Sequence, residues 1–229
     1  MRLYLFDVDG TLIYAHGAGR LALTRALEDT YGTAGPADLY DSRGKTDPQI
    51  VSELMTAASI PPAVVQARLE DCFHTYVRHL EALMSTGHPV DVMPGITEML
   101  QALSSRPDAL VGLLTGNIEG GARAKLRPTG LLPYFRIGAF GSDDADRRRL
   151  PGVARERARA LAGSEVPFHH MVIIGDTPLD IDCARACGAV AVAVATGQYR
   201  AEELAAFSPD LLFTDFSDVN ATLLALTRG

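Results

Sequence analysis

Leu3-Tyr4-Leu5-Phe6-Asp7-Val8-Asp9-Gly10-Thr11 stands at the head of the chain. Its apolar run predicts a buried strand, and the run closes on two aspartates separated by a single valine. An unpaired buried charge is costly, so Asp7 and Asp9 are expected at the strand's end, in a polar site that shares their charge with a cation. Side chains alternate along a strand, so residues 7 and 9 point the same way if extended geometry persists. Two hard oxygen ligands converging on one spot suit Mg²⁺. Gly10 permits a sharp exit, and Thr11 can bond the freed backbone. The bland alternative is an Asx-type turn carrying two solvated carboxylates. An EF-hand loop also begins Asp-x-Asp-Gly, but Leu12, Ile13 and Tyr14 follow where acidic ligands are needed.

Outward from this stretch, the 229 residues suffice for one large domain, or for a core with a smaller domain inserted. A hydrophobic fraction of 47% supplies an ample core. A net charge of −7 argues against nucleic acid as the main partner. It leaves small phosphorylated metabolites open, since these need only a local positive site. Arg147-Arg148-Arg149 is a short basic run whose plain reading is a solvated helix start. Cys72, Cys183 and Cys187 have neither a disulfide framework nor zinc spacing, so small core residues in a reduced, cytoplasmic protein are expected. The N-terminus runs straight into the strand, so no secretory signal is expected. No apolar run reaches membrane-spanning length. Monomer and homodimer both fit.

After about residue 90, strands and helices alternate. Leu110–Leu114, Ile137–Phe140, Met171–Ile174 and Val190–Val194 read as strands, with a weaker one at Leu211–Phe213. Polar or glycine residues and a helical pattern follow each, which predicts an α/β fold, a Rossmann-like parallel sheet with helices on both faces. Ligands bind such sheets beyond the carboxyl ends of the strands, where Asp7, Thr115 and Asp176 all fall. Residues 15–88 break the pattern and read as helices Gly19–Tyr31, Pro48–Ser59 and Pro62–Met84, with Asp47 as the N-cap of the second and Pro48 at its first position. The expected organisation is a core of 1–14 and 89–229 with an all-α domain, 15–88, inserted after the first strand.

Two further strand ends carry chemistry. At Thr115-Gly116-Asn117, a hydroxyl and backbone N–H groups near a helix start suit a phosphate; a generic turn is the alternative. At Gly175-Asp176-Thr177-Pro178-Leu179-Asp180, Asp176 reads as a metal ligand with Asp180 assisting; helix capping by either is the alternative.

Asp-x-Asp-Gly-Thr, Thr-Gly-Asn and Gly-Asp-x-x-x-Asp, in this order and each after an apolar strand, resemble the motifs of the haloacid dehalogenase superfamily, over essentially the whole chain. The inserted helices resemble the small α-helical cap of its phosphoglycolate-phosphatase-like and β-phosphoglucomutase-like members. The resemblance implies that Asp7 is the nucleophile of a Mg²⁺-dependent phosphatase that passes through an aspartyl phosphate. It implies that Asp9 is the acid and base, and that Asp7, Asp9, Asp176 and Asp180 serve the metal, Asp9 through its backbone carbonyl. Gly10, Thr115, Gly116 and Asn117 would receive the phosphoryl group. The lysine that relatives place before the fourth helix of the core is missing, since that stretch reads Asp143-Asp144-Ala145-Asp146-Arg147-Arg148-Arg149-Leu150-Pro151. Arg147, with Arg148 behind it, is expected in its role. Lys125 is the rival, but it lies about two turns along the helix after Thr-Gly-Asn, far from the strand tip if that helix starts there. In the loop Asp41–Asp47, Arg43, Gly44, Lys45 and Asp47 are expected to face substrate; a plain solvated loop is the alternative. A phosphosugar mutase and a non-catalytic binding domain share the fold and remain open, whereas Asp9 disfavours a dehalogenase.

Overall fold

Alternation along β1 (Arg2–Phe6) builds both faces of the central sheet. Leu3 and Leu5 enter one buried cluster, Tyr4 and Phe6 the other. The same split recurs at Leu110/Leu114 against Val111/Leu113 of β4 (Ala109–Thr115), and at Met171/Ile173 against Val172/Ile174 of β6 (Met171–Gly175). A strand buried on both faces needs helices on both sides. This computed structural model describes residues 1–227. Its six-stranded sheet is wholly parallel, in the order β5 (Ile137–Phe140), β4, β1, β6, β7 (Val190–Val194), β8 (Leu211–Phe213).

The sequence-predicted strands are thus present with ends shifted by one residue at most. A two-stranded antiparallel ribbon, β2 (Ile13–Tyr14) with β3 (Asp91–Val92), was not expected. Two-residue strands are too short to leave a period in the sequence. They clamp together the two chain crossings that enter and leave the helical segment.

That segment holds α1 (Ala18–Tyr31), α2 (Asp47–Ala57) and α3 (Pro62–Ser85) and no strand. α3 packs on α1, on α2 and on α5 (Glu119–Leu126), which follows β4. One expectation fails at α2. Its N-cap is Thr46, extended, with Oγ1 accepting from Gln49 N at 3.3 Å; Asp47 is the first helical residue and Pro48 the second. The threonine hydroxyl takes the capping role and releases the Asp47 carboxylate for another partner. On the sheet's other side lie α6 (Leu150–Ala162) and α7 (Pro178–Cys187), while α4 (Ile96–Ser104) and α9 (Val219–Thr227) cover the first face, and α8 (Ala201–Ala205) precedes β8.

Candidate active site

The order β4-β1-β6 sets three loops side by side at the strands' carboxyl ends. Phe6 is in register with Leu113 and with Ile174, and Asp7 N donates to Ile174 O at 2.9 Å. Asp7 therefore leaves the sheet between Thr115 and Asp176, and all three are buried. These groups line one cleft with Asp9, Gly10, Gly116, Asn117, Lys125 and Arg147.

Asp7, Asp176 and Asp180 bring carboxylate oxygens within 4.8 Å of one another. Burial pushes Asp7 up to about 6; Arg147 pulls it down, and Asp180 pushes it up. Burial, with repulsion from Asp7 and Asp180, raises Asp176 well above the usual carboxylate range, against the Thr11 hydroxyl that donates to it at 3.0 Å. Crowded, buried, all-oxygen carboxylates are the donor set that a hard divalent cation fits, with Asp7 and Asp176 the better placed ligands. Asp180 is largely occupied: Oδ1 pairs with Arg147, and Oδ2 accepts from Thr177 N at 3.0 Å and Thr177 Oγ1 at 2.7 Å. The Asp9 carboxylate stands apart from this cluster. The strand ends at Phe6, so alternation does not carry through to residue 9.

Arg147 is buried in a short 3₁₀ turn, Arg147–Arg149, before α6. Its Nη2 lies 3.4 Å from Asp7 and bonds Asp180, while Nη1 donates to Gly44 O at 2.9 Å. Burial opposes its charge, but Asp180 and Asp7 outweigh that and raise its pKa. The solvated-helix-start reading holds for Arg148, which is exposed and pairs with Asp182 at 2.7 Å, away from the site, but not for Arg147.

Lys125, the rival to Arg147, reaches the site, and only the expectation that it lies far from the strand tip fails. It is buried, and its Nζ donates to Asp9 Oδ2 at 2.6 Å and Asn117 Oδ1 at 2.7 Å. The long Lys125 side chain therefore reaches the site from the second turn of α5. Asn117 Nδ2 completes the group, donating to Asp9 Oδ2 and Thr115 Oγ1 at 2.8 Å each. Each aspartate of the first motif thus has its own cation, Arg147 by Asp7 and Lys125 by Asp9.

The Asp41–Asp47 loop is bound to the core. Asp47 N donates to Gly116 O and Asp47 Oδ2 accepts from Ile118 N, both at 2.8 Å, and Thr46 Oγ1 donates to Ala145 O at 2.7 Å. A Cβ on Gly116 would run into the Lys45 carbonyl. Asp47, expected to meet substrate, lines the cleft and is also a buried link between α2 and the start of α5. Its carboxyl is pushed up to about 6 by burial, against Lys125 and the Ile118 N–H. Arg43 is paired with Asp41 at 2.7 Å and lies over the Tyr199 ring; Lys45 is paired with Glu53 at 2.8 Å; Gly44 carries the carbonyl that Arg147 holds.

Thr11 was expected to bond backbone, but the nearby carboxylate is the stronger acceptor. The sequence reading also missed Thr196 and Gly197. Thr196 Oγ1 donates to Gly10 O at 2.6 Å, and a Cβ at Gly197 would collide with Asp176. Both lie just past the end of β7, so the strand-end rule that found Asp176 would have found them.

The haloacid dehalogenase-like hydrolase family profile matches residues 1–188. The chain belongs to that family of hydrolases. It is 28% identical over 222 residues to a phosphoglycolate phosphatase of Rhodospirillum rubrum, covering 94% of this chain and 88% of that protein. It is also 28% identical to a phosphoglycolate phosphatase of Synechococcus elongatus, over 100% of both chains. A hydrolase from Pseudomonas syringae has the same fold, with a TM-score of 0.72 at 21% identity over 100% of both chains.

Proposed function

We propose that the protein is a Mg²⁺-dependent phosphatase that hydrolyses a small phosphorylated metabolite through an aspartyl phosphate on Asp7. The observation that carries this reading is the pairing of each first-motif aspartate with its own buried cation beside a cluster of carboxylates. Asp7 attacks phosphorus, and the bond from phosphorus to the alcohol oxygen breaks. Asp9 gives that oxygen its proton. Asp9 then takes a proton from water, the water oxygen attacks phosphorus, and the Asp7–phosphorus bond breaks to release inorganic phosphate. Thr115, the Gly116 and Asn117 backbone, and Arg147 hold the phosphoryl oxygens. Lys125 and Asn117 fix Asp9 in place. Asp7, Asp176 and the Asp9 carbonyl would hold Mg²⁺, which when bound neutralises the two anions brought together.

Residues 15–88 serve as a cap over a core of 1–14 and 89–229 in this reading. Three free cysteines suit a reducing, cytoplasmic setting. Among the described residues no helix is long and apolar enough to cross a membrane. The test is phosphate release from a panel of phosphomonoesters, with Mg²⁺ and with EDTA. Metal-dependent release is expected. An isomerised sugar phosphate in its place would favour a mutase, and no product from any ester would overturn both.

A further inference from the structure

The cleft around Asp7 has a volume of about 980 Å³, room for more than a phosphoryl group, and Arg20, Arg43, Lys45, Lys125 and Arg147 line it. Four of these cations are paired with carboxylates. Arg147 stands between Asp7 and Asp180, Lys125 bonds Asp9 at 2.6 Å, Arg43 faces Asp41 at 2.7 Å and Lys45 faces Glu53 at 2.8 Å. Arg20 is the exception. It is exposed, and among the described residues no carboxylate pairs with it. Its Nη2 donates to the Ala37 carbonyl at 2.5 Å. That bond anchors one corner of the guanidinium and leaves its other N–H groups without a protein acceptor.

Arg20 stands on the side from which the alcohol departs. It follows Gly19, where a Cβ would lie 2.8 Å from Lys125 Nζ. Lys125 bonds the Asp9 carboxylate, and Asp9 protonates the alcohol oxygen in the mechanism above. The first turn of α1 therefore passes beside the acid, with Arg20 next along it. The phosphoryl group already has its own cation in Arg147, beside Asp7. Asp41 and Asp91 also line the cleft, but Arg43 engages the first and His16 the second, at 2.6 Å. An unpaired guanidinium in such a cleft attracts an oxyanion and can hold it through two parallel N–H bonds.

Resting on the phosphatase reading, we infer that Arg20 binds a second anionic group, carried by the alcohol that the enzyme releases. The substrate is then a phosphorylated acid or a bisphosphate with a short carbon chain between its charged ends, rather than the phosphate of a neutral alcohol. Arg20 selects this substrate and takes no part in breaking the ester bond.

The test compares 2-phosphoglycolate, its neutral amide and the bisphosphate of ethane-1,2-diol, with Mg²⁺, on wild type, Arg20→Met and Arg20→Lys. A hydrogen bond from a charged donor is worth roughly 10- to 100-fold. In the wild type the acid or the bisphosphate is expected to exceed the amide at least ~10-fold in kcat/KM, and the larger gain identifies the second anion. Arg20→Met should bring that ratio to within about threefold of one, chiefly through KM, and Arg20→Lys should restore part of it. Because both esters are read on the same protein, a general loss of folded enzyme or of the Ala37 bond leaves the ratio alone. Calorimetric binding of 3-phosphonopropionate and its amide reads the anion site without turnover. Selective binding of the acid that Arg20→Met removes, with no phosphate release from any ester, would uphold the anion site and sink the phosphatase reading. Wild-type ratios near one, or a ratio unchanged in Arg20→Met, would overturn the inference; the second result would leave Arg20 as a brace for the Ala37 carbonyl.

Discussion

Arg147→Met removes the guanidinium from between Asp7 and Asp180 while keeping an apolar stem of similar length. Both carboxylates and the arginine are buried, with side-chain exposures of 7%, 1% and 6%. Breaking a buried pair by deleting one partner costs roughly 3–5 kcal/mol, because the other charge stays buried. The lost hydrogen bond to Gly44 O adds about 1 kcal/mol. In a chain of this size each kcal/mol lowers Tm by roughly 2–4 °C, so a fall of about 10 °C or more is expected at pH 7.5 in metal-free buffer. The sign with pH is fixed. Asp7, at about 6 with Arg147 beside it, moves further up without it. The variant's native state then binds more protons than its unfolded chain, so its stability falls as pH rises through that window. The deficit is therefore larger at pH 7.5 than at pH 5. Arg147→Lys keeps the charge but not the fork and should fall between. The assay is thermal and urea unfolding of all three proteins at both pH values. A Met variant melting within about 2 °C of wild type, or an equal deficit at both pH values, would refute the reasoning.

Other consequences follow from the same geometry. Asp47, at about 6 in the fold against about 3.9 unfolded, removes ~3 kcal/mol of stability as pH rises between those values. Asp47→Asn keeps an acceptor for Ile118 N–H, and urea titrations across pH 4–7 should show a shallower fall. Lys125→Met strips Asp9 and Asn117 of their shared donor; kcat should drop ~10²-fold by misplacement of the acid-base, whereas an unchanged kcat would show that Lys125 only fills space. Gly116→Ala forces the Lys45 carbonyl away from the core, at about 1–3 kcal/mol in denaturant unfolding.

The sheet was legible because its strands are buried on both faces and bounded by turn residues, so each leaves a continuous apolar run such as Val190–Val194. Asp7, Thr115 and Asp176 were legible because a polar residue straight after such a run has one place to go. The basic residues were not. Lys125 sits in Glu-Gly-Gly-Ala-Arg-Ala-Lys-Leu, a helix with nothing in its sequence to mark the lysine as buried, and only the tertiary packing of α5, against α3 among others, buries it with Nζ at Asp9. Asp47 read as a cap because Asp-Pro is a common helix start, but Thr46 competes for that position and wins. Thr196 follows its strand as plainly as Thr115 does, and its role needed only the rule already in use.

The central claim is that Asp7 carries the phosphoryl group. Its most direct test is an acid quench of wild type and Asp7→Asn turning over p-nitrophenyl phosphate with Mg²⁺, followed by borohydride reduction and peptide mass spectrometry. The account predicts reduction of the acyl phosphate at Asp7 to homoserine in the wild type, and neither modification nor turnover in the variant. Phosphorylation at another residue, or wild-type turnover by Asp7→Asn, would contradict it.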